Sequence, residues 1–248
     1  MKKVKSLQGV FYVCILLAAV VALFYWYTVQ NSKRMEERNK NYAADSARLK
    51  AVQIDNELKN ALDLVNTYAY FVGESLTDPV VTDEMLTEME ANSQFDALLF
   101  TTADGVDHIS DGRTSDVSDR DFYRNGIDGY SDISIIFDPH FFDETMAGFY
   151  SPVYFKGEIA GILRGAYLAE EYLKDMLATT YFGEQADVFL CTPDGRVIAS
   201  SDDETYEGNV LEILAGSGVI DRGTAQKAGE IFRDGGEGAF ICAPGSQK

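Results

Sequence analysis

The 248-residue chain has an ordinary hydrophobic share of 46% but a formal net charge of -19. Residues 1–40 carry seven Lys/Arg against two Glu, so the remainder holds fourteen basic against thirty-eight acidic side chains, a surface that argues against a nucleic-acid partner. Three cysteines make no disulfide framework and two histidines in unrelated contexts give no metal-ligand spacing, so neither a metal nor a cofactor is expected.

In chain order, the first feature is Val10–Val29, twenty residues without a charge. As a helix they would span a hydrocarbon core of roughly 30 Å. Lys2, Lys3 and Lys5 precede the run and Phe24-Tyr25-Trp26-Tyr27 suits the far interface. The expectation is an uncleaved transmembrane helix over 10–29, a cytoplasmic N-terminus over 1–9 and an extracytoplasmic remainder. A cleaved signal peptide would have a shorter apolar core ending at small residues.

From Asn31 to about Leu76 there is no proline, and Met35, Tyr42 and Leu49 recur at seven-residue steps, followed by Val52, Leu58, Leu62 and Val65. This predicts one long amphipathic helix, a stalk over 30–77, whose early part can pair in a homodimer and whose later part lies on its own domain. Asp78-Pro79 ends it, and a short helix follows around Thr82–Ala91 with Thr82 as N-cap.

Strands are then predicted at Phe95–Thr101, Val106–Ile109, Asp132–Phe137, Gly148–Phe155 and Glu158–Tyr167, with turns at Ala103-Asp104-Gly105 and Lys156-Gly157. These five antiparallel strands form one sheet, and the segment Ser118–Gly126, SDRDFYRNG, crosses a face of it between the second and third. A helix around Glu170–Ala178 leads to a second unit near Asp187. There DVFLCTPDGRVIASSD repeats DALLFTTADGVDHISD of residues 96–111 with one deletion, which suggests two tandem copies of one small domain. The second copy shows helical and turn-rich sequence over 211–228, one strand at Gly238–Ala243 and no return hairpin, so it is read as incomplete.

The order of motifs resembles the double Cache (PAS-like) extracytoplasmic sensor regions of bacterial transmembrane signalling proteins. Asp119-Arg120-Asp121-Phe122-Tyr123 is similar to the family's pocket helix and Phe137-Asp138-Pro139 to the loop that follows. Ser151-Pro152-Val153-Tyr154 and Gly157–Gly165 are similar to its last two sheet strands, and Thr192–Val197 to the opening hairpin of the membrane-proximal module. The resemblance covers residues 30–248. It implies an α+β fold with a membrane-distal subdomain over 78–180 that binds a small molecule and a membrane-proximal, truncated one over 181–248. It also implies a cytoplasmic output domain beyond this chain, such as a diguanylate cyclase, a histidine kinase or a chemotaxis transducer; the GILRG strand looks most like cyclase-linked sensors.

Arg120 offers a planar fork for a carboxylate, Phe122 an apolar wall, Tyr123 a ring and hydroxyl, and Asp138 an acceptor. Amino-acid-binding members of the family carry an aspartate on the final strand that corresponds to Ala166 and a tyrosine that corresponds to Ser115. Their replacement favours a carboxylate or other small anion over a simple amino acid. Arg120 can instead pair with Asp116, Asp119 or Asp121, an Asp-Pro turn explains Asp138 equally well, and Arg124 reads as solvated or capping. No nucleophile, base and orienter occur together, so no catalysis is expected of this region; a tethered enzyme or a structural, adhesive surface protein are the other readings.

Overall fold

The computed structural model describes residues 2–136, 145–178, 180–181, 184–185, 187–201 and 208–236, with side chains from Leu16 onward apart from a few positions. The first element, α1, is one uninterrupted helix from Lys2 to Ser75, about 110 Å long at 1.5 Å per residue. Between Val10 and Val72 it holds neither glycine nor proline, which is why nothing breaks it. Among the described residues no helix is long and apolar enough to cross a membrane; the span expected over 10–29 lies partly outside the described side chains. After Ser75 the chain turns at Asp78-Pro79, where the proline ring disfavours helical backbone at residue 78.

The short helix α2 (Asp83–Ala91) starts as expected: the Thr82 side chain accepts from the Met85 amide and acidic Asp83 and Glu84 fill the first turn. Six strands follow: β1 (Ala97–Thr102), β2 (Val106–Ile109), β3 (Thr114–Asp116), β4 (Asp132–Ile136), β5 (Met146–Phe155) and β6 (Glu158–Leu168). Helix α3 (Asp121–Ile127) lies between β3 and β4. All pair antiparallel in the order β3-β2-β1-β6-β5-β4. The expected five strands are corrected to six. The addition, Thr-Ser-Asp, carries no apolar alternation to announce it; it pairs at the sheet edge because the Asp111-Gly112 turn folds it back onto β2. In that turn Asp111 accepts from the backbone and side chain of Arg113, and the backbone bond is the main cause holding its carboxyl below the usual range.

The sheet is covered on both faces, so β5 and β6 are almost continuously buried. One face receives α1 through Ala61, Val65, Ala69 and Val72, a single helical stripe that meets Phe95, Leu98, Phe100, Phe149 and Leu163. Burying each large side chain here contributes about 1.5–3 kcal/mol. Gly73 permits the closest approach: a methyl group there would start 2.2 Å from the Tyr154 carbonyl oxygen. The opposite face carries Ala97, Leu99, Ile109, Met146 and Ala166.

Helix α4 (Ala169–Leu177) leads on to the short pair β7 (Thr180–Tyr181) and β8 (Glu184–Gln185), the hairpin β9 (Phe189–Cys191) and β10 (Val197–Ser200), and helices α5 (Val210–Gly216) and α6 (Arg222–Asp234). Leu173 and Leu177 of α4 pack with Ile54 of α1 and Ala199 of β10. Lys50 Nζ donates to the carbonyls of Met176 and Ala178 at 2.7 and 2.9 Å, capping α4 from the stalk. The strand expected at Gly238–Ala243 lies outside the described residues.

The two β hairpins carry the same turn. In the first, Thr102 Oγ1 donates to Asp104 and accepts from the Val106 amide at 3.1 Å, and the Gly105 amide donates to the Thr102 carbonyl. In the second, Thr192, Asp194, Gly195 and Arg196 make the same three bonds, and both glycines sit at φ 89°. A shared turn of three side-chain and backbone bonds is a stronger sign of duplication than the Asp-Gly pair alone.

Candidate functional site

The face of the sheet away from α1 is crossed by α3, and register places three rows of side chains beneath and beside it. Leu99, Arg164, Tyr150 and Asp132 form one row, Asp107, Thr101, Ile162 and Pro152 its neighbour. On the other side Ala97, Ala166, Gly148 and Ser134 form a row of small residues beside Arg164 and Tyr150. The buried Ser134 hydroxyl at its end has no hydrogen-bond partner among the described residues.

Helix α3 seats on this face because Gly126 presents no side chain: a Cβ there would lie 2.5 Å from the Ile162 side chain. Phe122 then lands on Arg164, whose guanidinium carbon is 3.9 Å from the ring centroid, and its ring tilts against Tyr150 at 6.0 Å. Arg164 is 4% exposed and donates to Asp107 at 2.6 Å; Asp107, itself 2% exposed, accepts from Thr101 at 2.8 Å. Burial is the main cause raising the Tyr150 phenol; a hydrogen bond with Asn125 of α3 works against it, while Asp132 and Asp121 add to the rise.

The residues expected from sequence distribute around this centre. Arg120 is the N-cap of α3, with its side chain 54% exposed and Nε 3.7 Å from Asp119. Phe122 faces the sheet. Tyr123 is turned the other way along the helix and donates its hydroxyl to the Ala103 carbonyl at 2.8 Å, so that hydroxyl ties α3 to the β1–β2 turn. Arg124 pairs with Asp121 within its own helix. Ala166 is fully buried in the row of small residues, and Ser115 lies on β3 opposite Asp107. Asp138 lies outside the described residues.

The network of Arg164, Asp107 and Thr101 is absent from the sequence expectations. Its signal was one arginine inside the apolar run Ile-Leu-Arg-Gly-Ala and one aspartate in Val-Asp-His-Ile; what hides their meeting is a register that only the folded sheet supplies.

No protein-family model matches the chain, and no curated protein matches it. Solved structures do. The ligand-binding domain of the Pseudomonas fluorescens chemoreceptor CtaA in complex with L-serine is 17% identical, with a TM-score of 0.57 over 77% of this chain and 84% of that one. The domain of the Pseudomonas aeruginosa amino acid chemoreceptor PctC in complex with GABA is 18% identical, with a TM-score of 0.54 over 71% and 82%. That of the Campylobacter jejuni chemoreceptor Tlp3 in complex with 4-methylisoleucine is 12% identical, with a TM-score of 0.54 over 71% and 77%. At such identities the likeness is one of architecture: the chain has the fold of the double Cache ligand-binding domains of bacterial chemoreceptors.

Proposed function

We infer that the chain is the extracytoplasmic small-molecule sensing module of a membrane-bound signalling protein. The observation that carries this reading is α3, laid across β5 and β6 by Gly126 and Phe122, in the fold of chemoreceptor ligand-binding domains. The ligand is a carboxylate or other small anion. It meets the exposed Arg120 guanidinium at the start of α3 and packs on the Phe122 ring, with Tyr123 holding the helix in place.

Residues 10–29 are the membrane anchor in this reading. Its support is the unbroken run of α1 and the exposure of Leu16, Leu17, Val20, Val21, Leu23 and Phe24, which a bilayer would cover. The distal unit, 78–180, binds the ligand, and the proximal unit, 181–248, relays the change. Stalks pair in a homodimer through Met35, Tyr42 and Leu49, all exposed. The signal passes to a cytoplasmic output domain, for which a diguanylate cyclase is the candidate of choice. Binding acts by favouring one of two arrangements, and only through unequal affinity for the two.

The test is thermal unfolding of the full chain in lipid nanodiscs against acetate, pyruvate, succinate, benzoate, L-alanine, L-isoleucine and GABA. A carboxylate without an ammonium group is expected to raise the midpoint, and Arg120→Ala to abolish the rise. If no compound shifts unfolding, or Arg120→Ala responds as the parent does, the site is withdrawn and a structural role for the distal unit takes its place.

A further inference from the structure

A cleft of about 430 Å3 lies between α1 and the end of β5, away from α3's contact with Arg164. Asn66, Tyr70 and Glu74, one face of α1 at four-residue spacing, form one wall. Ser151 and Tyr154 of β5 form the other, and Gly129 and Ser131 close the end. The close approach at Gly73 sets this geometry, because it presses α1 onto the Tyr154 backbone between Tyr70 and Glu74. Tyr154 extends to the closed end of the cleft: a side chain at 129 would begin 3.1 Å from its hydroxyl. Phe71 packs edge-on to Tyr70, ring centroids 5.7 Å apart, and Ser131 donates to Ser151 at 3.3 Å.

Two aromatic rings and one carboxylate therefore share a cleft in which no Lys or Arg lines the wall among the described residues. An aromatic face attracts a cation through its quadrupole, and a carboxylate at the same site adds charge to that attraction. The surrounding field has the same sign, with thirty-eight acidic against fourteen basic side chains after residue 40. An anionic ligand would meet Glu74 uncompensated. The geometry points to a site for a small organic cation, an alkylammonium group held between Tyr70 and Tyr154 with Glu74 as its counter-charge. This site is separate from the sheet face under α3 and does not depend on the reading given to that face.

Choline and its neutral carbon analogue 3,3-dimethylbutan-1-ol, which have the same shape, are the probes, titrated calorimetrically into the full chain in nanodiscs. Choline binds and the neutral analogue does not. Tyr154→Leu and Glu74→Gln each weaken choline by about fivefold or more, Tyr154→Phe restores binding, and Arg120→Ala leaves it unchanged. Circular dichroism shows Glu74→Gln folded as the parent. The proposal is overturned if choline does not bind at about 10 mM, if the neutral analogue binds equally, or if choline binding survives both Tyr154→Leu and Glu74→Gln.

Discussion

At Arg164 the chain keeps two opposite charges out of water, and the pair is worth more to the placement of α3 than to stability. Arg164→Met leaves Asp107 buried with only Thr101 against it and is expected to cost about 3–5 kcal/mol, read from urea unfolding of the full chain in detergent. The double variant Asp107→Leu with Arg164→Met recovers most of that loss. Phe122 nevertheless loses its cationic partner, so amide exchange in 121–127 accelerates in the double variant. Slow exchange there would show that α3 is held without the pair. Cys191 is the other residue with a firm expectation: burial pushes its free thiol up to about 11 from an ordinary 9.0. At pH 8 its thiolate fraction falls by roughly a hundredfold, so alkylation by iodoacetamide in a variant lacking Cys14 and Cys242 is slower by about that factor until the chain is unfolded.

Among the elements, α1 and the β5–β6 hairpin were plain in the sequence, and for physical reasons. The 63-residue stretch from Val10 to Val72, without glycine or proline, has no place to end, and Lys156-Gly157 between two apolar runs forms a two-residue turn with both φ angles positive, 52° and 91°. The Thr82 cap was equally legible; Thr82→Ala is expected to cost about 1 kcal/mol in the same unfolding experiment. What could not be read was pairing. β3 hides because an edge strand of Ser, Thr and Asp needs no apolar period, and Arg164 meets Asp107 only once β1 has paired with both β2 and β6. The candidate site was legible to the same extent. The motif marked the segment that crosses the sheet and carries Phe122, whereas the destination of the Tyr123 hydroxyl, a backbone carbonyl twenty residues back, belongs to no local pattern. Gly73 is the element contact most sensitive to change: Gly73→Val forces α1 off Tyr154 and is expected to cost about 1–3 kcal/mol.

Across the whole molecule, the stalk has two faces with different work. Ile54, Ala61, Val65 and Ala69 are spent inside the chain, and Met35, Tyr42, Leu49 and Val52 remain outside. The homodimer reading predicts that Tyr42→Glu with Leu49→Glu converts a dimer to a monomer in sedimentation equilibrium of the detergent-solubilised chain, with unchanged helical circular dichroism. A parent chain that is already monomeric would remove that reading.

The cluster of Ile54, Leu173, Leu177 and Ala199 bears on how this protein can be divided. A repeat in sequence invites a cut between its copies, yet the hairpin of the second copy rests on apolar side chains contributed by the stalk and by α4. The repetition in sequence is not matched by independence in folding. An excised segment from 181 onward would leave Ala199 and its neighbours without their partners, so swapping the units between proteins requires carrying α4 and the facing turns of α1 along with the second copy.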